Sequence, residues 1–451
     1  MSDRPVGASA HGGDRLSTKA GSKETRMPGL SRLVAALGLT LTMAASTPAF
    51  AADASQQQLA AVTCAALNSA AQAIPGNGPM LLPSYPTLEQ GDDATRALEN
   101  VAFVYDDALA GIALIACGEP AQARRIADAL LLAAARDPSF KDGRLRNAYR
   151  SGAVDGNKVE LPGYWQARGN YWSQDPYQTG TATGNVAWAA LLLLNVYDST
   201  HDRRYLDGAV AQLHWIQAHT TGSANPPAYE GGLFGYDNAQ RAQHWKATEH
   251  NIDVYAAAAW AARESGDAAL SQQAKLAAGF VDAMWDGAQR RFLVGTLDDG
   301  KTLSRDKSGL DAQVWPLLAF HPHPAEWNQV WHWVDTQHRS GEGYGYRRRP
   351  DGVWTEGTAQ VAAAMQASGR AVPDTLWQLL AAQRGEGGML YATPQQRIGT
   401  DFAIGPTSTY ADFFYYHYPH LGATAWAALA ANSWNPFTGR RIIREPAGAA
   451  H

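Results

Sequence analysis

Carboxylic acids stand beside several apolar runs in this 451-residue chain. The sequence reads Tyr105-Asp106-Asp107, Thr248-Glu249-His250-Asn251-Ile252-Asp253, Leu310-Asp311-Ala312-Gln313 and Trp354-Thr355-Glu356 at four separate places. Two carboxyl groups held near one another can divide acid–base work, one giving a proton to a leaving oxygen while the other takes one from water. An acid in a first helical turn also has a simpler use, because it caps orphan amides and complements the helix dipole. Capping accounts for any single acid more readily than for four converging on one place. Glu249, Asp311, Glu356 and Asp107 are therefore the catalytic candidates, and Asp106, His250, Asp253 and Gln313 are placed beside them as binding residues.

A second set of residues accompanies the acids. The segments between helices carry Tyr164, Trp165, Tyr171, Trp172 and Tyr177, then Phe234, Tyr236 and Trp245, then Tyr344, Tyr346 and Trp354, and finally Tyr391, Tyr410 and Phe413. Aromatic faces next to carboxylates suit a pyranose, which offers apolar C–H surfaces for stacking and hydroxyls for hydrogen bonds. From this set Trp165, Trp172, Tyr236, Trp245, Tyr346 and Trp354 are expected to contact such a ligand. No metal or cofactor is expected, because His417-x-x-His420, His321-x-His323 and Asp298-Asp299-Gly300 lack recognised ligand spacing and no phosphate-binding glycine loop joins a strand to a helix.

These side chains need elements that bring them together. Helical periodicity and caps predict helices near 54–74, 97–117, 120–135, 181–198, 203–219, 248–264, 267–286, 309–320, 324–338, 355–369, 374–383 and 421–432. Short turns alternate with long connections at 136–180, 220–247, 287–308, 339–354 and 384–420. First members of each pair, such as the run from Val186 to Leu192, are apolar all round, whereas second members, such as 205–219, are amphipathic. The expected fold is an all-α (α/α)6 toroid of six inner and six outer helices, with 54–74 closing the outer ring and the long loops on one face. In this reading Asp106 and Asp107 fall about two turns inside the first inner helix, which weakens their claim.

The composition excludes other classes. With 45% hydrophobic and 18% charged residues the chain is globular, and 37 basic against 42 acidic residues argue against a nucleic-acid surface. The 15 Trp exceed what a core of this size ordinarily needs. Residues 33–45 are apolar, follow Arg26 and Arg32, and precede Pro48 and Ala49-Phe50-Ala51, the pattern of a secretory signal cleaved near Ala51. The expected organisation is an extension and signal over 1–51, the barrel over 52–438 and a tail over 439–451, with a secreted or periplasmic monomer that has no membrane span. In an oxidising compartment Cys64 and Cys117 could pair or stay as two buried thiols.

With these motifs and this helical organisation, the chain resembles the six-hairpin glycosidase superfamily. The resemblance spans nearly all of the expected mature chain and rests on residues 245–253, 310–313 and 354–360, together with the ending Thr424-Ala425-Trp426 to Asn435-Pro436-Phe437. It implies hydrolysis of a poly- or oligosaccharide with inversion, using two carboxyl groups about 6.5–9.5 Å apart. Glu249 is then the expected acid, desolvated by Trp245, His250 and Ile252, and Asp311 the expected base, with Glu356 and Asp107 as rivals. Asp253 is expected to bind a hydroxyl or hold His250. Three alternatives stay open: an epimerase working through His250, His417 or His420, a lyase using Tyr346 beside Arg347-Arg348-Arg349, and a sugar-binding protein without catalysis.

Overall fold

Six helices apolar on nearly every side form the inner wall of the molecule, seen in a computed structural model that describes residues 54–88, 93–154 and 158–442. In chain order the helices are α1 (Ala54–Ala73), the single turn α2 (Asp93–Arg96), α3 (Val104–Ala116), α4 (Pro120–Arg136), α5 (Thr183–Thr200), α6 (Arg203–Thr220), α7 (Thr248–Ser265) and α8 (Ala268–Ala283). They continue with α9 (Leu310–Val314), α10 (Pro316–Ala319), α11 (Val330–Trp333), α12 (Thr355–Ala367), α13 (Asp374–Ala382) and α14 (Leu421–Ala431). The inner helices α3, α5, α7, α9 with α10, α12 and α14 each pack on the next, and α14 returns to α3. Outside them lie α4, α6, α8, the 325–338 segment, α13 and α1, so the chain folds as an (α/α)6 barrel. The expected signal peptide and the end of the expected tail lie outside the described residues. Among those described, no helix is long and apolar enough to cross a membrane.

Local chemistry explains the pairs. Asp202 and Asp267 cap α6 and α8 by accepting from the amides of Arg204 and Ala269, a contact worth about 1 kcal/mol each. Gly266 ends α7 in the left-handed conformation that a side chain disfavours. Two predicted helices are less regular than expected. Pro316 cannot donate an amide, so 310–319 divides at Trp315, and 325–338 winds from a 3-10 turn through α11 into a π-type turn. The first inner helix begins at Val104 rather than near 97, because Val101–Phe103 is extended and pairs with Ala148–Arg150. That correction puts Asp106 and Asp107 in the first turn.

A repeated stitch ties the inner helices together at one rim. The first amide of each donates to a loop carbonyl: Val104 to Asn147 (2.9 Å), Thr183 to Gly231 (3.1 Å), Thr248 to Val294 (3.0 Å), Leu310 to Tyr346 (2.9 Å), Thr355 to Ala392 (3.0 Å) and Leu421 to Ser84 (2.9 Å). Two residues before five of those carbonyls, the same loop bonds a side chain in the next inner helix. Leu82 donates to Asp107, Tyr229 meets Asn251, Phe292 meets Gln313, Tyr344 meets Thr358, and Leu390 donates to Thr424. In each of these five helices the bonded side chain is the fourth residue. In α5 that place is the apolar Val186, and no side-chain bond forms there.

Far from this rim, Cys64 in α1 and Cys117 after α3 form a disulfide, the paired alternative of the sequence reading. A loop of this separation, 53 residues, is stabilised by about 4 kcal/mol in the loop-entropy account. The chain beyond 438 begins as a hairpin, with Arg440–Arg441 paired to Trp434–Asn435.

Candidate active site

The second and third residues of the inner helices face the enclosed end of the barrel, and their arrangement follows from the stitch. With the fourth residue turned to the loop, the residues one and two places before it, about 100° apart per step, look inward. Glu249, Asp311 and Glu356 occupy second places, while Asp106, Asn185 and His250 occupy third places. The preceding residues Phe103, Ala182, Ala247, Gly309 and Trp354 make no side-chain cap. Of the three second-place acids, only Asp311 accepts a nearby backbone amide, that of Ala312 at 2.6 Å. Capping therefore does not explain Glu249 or Glu356.

The acids form two groups. In the first, the carboxyls of Glu249 and Asp311 hydrogen-bond to each other. Burial raises Glu249 far above the usual carboxylate range, and the charge of Asp311, its hydrogen bond and the charge of Asp253 add to that. Burial also raises Asp311, but the Glu249 bond, the Ala312 amide and the Tyr346 hydroxyl pull it back. One proton shared with Glu249 as donor satisfies these directions. Glu249 is surrounded by protein yet keeps 31% of its side-chain surface exposed, so it is both desolvated and reachable. Asp253, one turn further along α7, is buried and raised by burial and by the charge of Asp311. His250 Nε2 lies 3.8 Å from Glu249 Oε1. Burial lowers the His250 pKa to about 4, so the ring is neutral at pH 7.

Glu356 anchors the second group. Tyr105 Oη donates to its Oε1 at 2.6 Å, Gln360 Nε2 at 3.2 Å, and Trp426 Nε1 in turn donates to Tyr105 Oη at 3.0 Å. Its buried Oε2 has no hydrogen-bond partner. Burial lifts Glu356 to about 7, against the lowering effects of His420 and Tyr105. His420 Nδ1 accepts the Ala423 amide at 3.2 Å, and Nε2 lies 3.4 Å from Asp106 Oδ2. These groups line a cavity of about 110 Å³ together with Tyr85, Tyr177, Asn185 and Tyr415. Asp311 is near enough for its charge to raise Glu356, and Tyr346 and Tyr415 stand 6.3 Å apart between the two groups.

Two glycines permit this closeness. A β-carbon on Gly422 would lie 2.6 Å from Asp106 Oδ1, 3.0 Å from His420 Cε1 and 3.1 Å from Glu356 Oε2. One on Gly184 would lie 2.5 Å from His250 Cδ2 and 3.2 Å from Asp253 Oδ2. A side chain at either place would force these groups apart.

Several expected site residues sit elsewhere. Asp107 accepts the Leu82 amide at 2.9 Å, and Gln313 exchanges both its amide groups with the backbone of Phe292, so both are stitch residues with no part in the cavity. Trp354 is 2% exposed and packs under Tyr346 and Tyr415 at 4.9 and 5.3 Å, which makes it a support for the wall. Trp245 stands 5.3 Å from His250, half-buried beside the first group. Trp165, Trp172 and Tyr236 are exposed, away from the residues lining the 110 Å³ cavity. Tyr85, Tyr105, Asn185 and Tyr415 were not among the expected site residues. Tyr105 adjoins Asp106, and Tyr415 belongs to the aromatic run 413–418, so both had a signal in the sequence.

No family model matches the chain, and no curated protein matches it by sequence. Its fold is similar to that of a glycosidase solved in complex with glucose, at 15% identity over 84% of this chain and 96% of that one, with a TM-score of 0.56. A sugar epimerase from a ruminal bacterium aligns at 11% identity over 83% and 98%, with a TM-score of 0.55. Cellobiose 2-epimerase from Bacillus thermoamylovorans aligns at 9% over 83% and 99%, with a TM-score of 0.56. The structural neighbours are thus (α/α)6 glycosidases together with sugar epimerases and isomerases.

Proposed function

We propose that this protein is an exported glycoside hydrolase acting on an oligo- or polysaccharide. The arrangement that carries the reading is the paired carboxyls of Glu249 and Asp311, set within electrostatic reach of a separately held carboxyl, Glu356, that burial pushes up to about 7. Hydrogen-bonded to each other, Glu249 and Asp311 leave no room between them for the water of an inverting reaction, which needs about 6.5–9.5 Å. The expected division between those two is therefore revised. Glu249 gives its proton to the leaving glycosidic oxygen as the C–O bond breaks. Asp311 orients that proton, and Glu356 takes a proton from the water that adds to the anomeric carbon. The cystine supports an oxidising compartment, in line with the signal sequence.

The rival chemistries fit less well. Epimerisation needs an imidazole that can take a proton from a sugar carbon, but both nitrogens of His420 are engaged and His417 Nδ1 is bound to the Thr393 carbonyl. His250, with its buried Nδ1 unpartnered, and His417, whose Nδ1–H donation to Thr393 leaves Nε2 as a base, keep that route open. For a lyase, burial and the charges of Asp311 and Glu249 push the Tyr346 hydroxyl well above its usual range, against its use as a base, and Arg347 pairs with Asp351 and Asp401. Incubating the protein with neutral α- and β-glycans, uronate polymers and free disaccharides separates the classes. New reducing ends with inverted anomeric configuration support hydrolysis. Unsaturated products, or isomerised sugar without cleavage, would replace it.

A further inference from the structure

Segment 175–178 is a thin wall with different residues on its two sides. Tyr177 lines the cavity that holds Asp106 and Glu356, whereas Asp175 and Gln178 line a second cavity of about 280 Å³. That volume approaches the roughly 300 Å³ at which ligand sites begin. Its other walls come from Gly163, Tyr164, Ser173 and Gln174, on and beside the hairpin that pairs Tyr164–Gln166 with Tyr171–Ser173.

The second cavity is equipped for hydroxyl groups. Gln178 is 3% exposed, its Nε2 donates to the Ala97 carbonyl at 2.7 Å, and its buried Oε1 has no partner. A buried amide oxygen left without a donor is costly unless something supplies one. Asp175 Oδ1 accepts the amides of Tyr177 and Gln178 at 2.9 and 3.0 Å, which fixes the carboxyl at the wall. A β-carbon on Gly163, which lines the cavity, would lie 2.5 Å from Trp172 Nε1, so the glycine lets that indole lie beside the cavity wall. Trp172 and its cross-strand partner Trp165 are 47% and 50% exposed.

We infer that this second cavity binds a further unit of an uncharged glycan whose reacting unit occupies the Glu356 cavity, with sugar hydroxyls donating to Gln178 Oε1 and Asp175 and the indoles of Trp172 and Trp165 stacking on the chain. The inference rests on the hydrolytic reading and adds its substrate class: a neutral chain long enough to cross the 175–178 wall. A carboxyl at the wall disfavours a uronate there.

The test titrates a Glu356→Gln protein, expected to bind without turnover, with neutral oligosaccharides from disaccharide to octasaccharide, alongside Gln178→Leu and Trp172→Ala in the same background. The expected result is an affinity that rises at least about tenfold with length and a rise that either substitution flattens. Thermal melts confirm that each variant is folded, and exposed Trp172 serves if Gln178→Leu is not. An affinity independent of length, or an equal loss at every length, overturns the second site while wild-type cleavage of the same sugars leaves the hydrolytic reading standing. A protein that neither binds nor cleaves any neutral glycan overturns both.

Discussion

Tyr105 donates its hydroxyl proton to Glu356 across the junction of α3 and α12, at 2.6 Å, and this bond favours the ionised carboxylate that a water-activating base requires. Activity should accordingly rise with pH through about 7 as Glu356 loses its proton. Tyr105→Phe removes a bond that holds the pKa down, so the acidic limb of kcat/KM should move upward by about one pH unit, a shift equivalent to 1.36 kcal/mol. A limb that stays in place, or moves downward, would remove Glu356 from the base role.

Glu249→Gln should lower kcat by about 10²–10⁴, the range for losing a general acid. The same change should stabilise the fold in alkaline buffer. Glu249, Asp253 and Asp311 all have raised folded-state pKa values, so the native state binds more protons than the unfolded chain, and their contribution to stability falls as pH rises through the folded values. Melting curves of wild type and variant should therefore diverge at pH 8, with the variant higher, and converge near pH 5.

Gly422→Ala tests the crowding around the second group. With a new methyl 2.6 Å from Asp106 Oδ1 and 3.1 Å from Glu356 Oε2, the carboxyls must separate. A displacement of that kind should cost at least about tenfold in kcat, with far-ultraviolet circular dichroism unchanged. Wild-type kcat would show that the spacing of Asp106 and Glu356 is immaterial.

Asp107→Ala should behave in the opposite way. It leaves the Leu82 amide without its acceptor, which costs about 1–3 kcal/mol and a lowered melting temperature, while kcat per folded molecule stays close to wild type. A large loss of kcat in a stable protein would return Asp107 to the chemistry.

Reduction of Cys64–Cys117 should lower stability by about 4 kcal/mol, seen as a drop in melting temperature with and without dithiothreitol. Because the bridge lies at the end of the barrel away from the acids, KM measured below the transition should not change.

The ring was legible because a buried helix and an amphipathic helix differ in pattern over many residues, as α5 and α6 do. Glu249, Asp311 and Glu356 were legible as helix-start acids for the same reason, whereas Asp106 and Asp107 were set two turns too deep because the extended 101–103 segment read as helix. What could not be read was which way each acid turns. Asp106 and Asp107 are adjacent and chemically identical, yet one lines the cavity and the other holds Leu82, because a 100° step around α3 separates them. The bond between Glu249 and Asp311 was also hidden, since it depends on how closely α7 and α9 approach, which no single segment encodes. Gln313 could have been recognised by comparing the fourth residues of the inner helices, where Asn251, Thr358 and Thr424 do the same work.

The stitch at the rim acts as a hoop. Five of the six loops are fastened at two points, two residues apart, to consecutive inner helices, and the loop that carries hairpin 164–173 at one, where Asn147 accepts the Val104 amide. Hairpin 164–173 can therefore be shortened, or exchanged for another of different length, without the acids changing place, provided Asn147 keeps its hold on Val104. Under the hydrolytic reading, ligand choice and chemistry are separately mutable here: the rim holds the acids while the hairpin is rewritten for a new sugar.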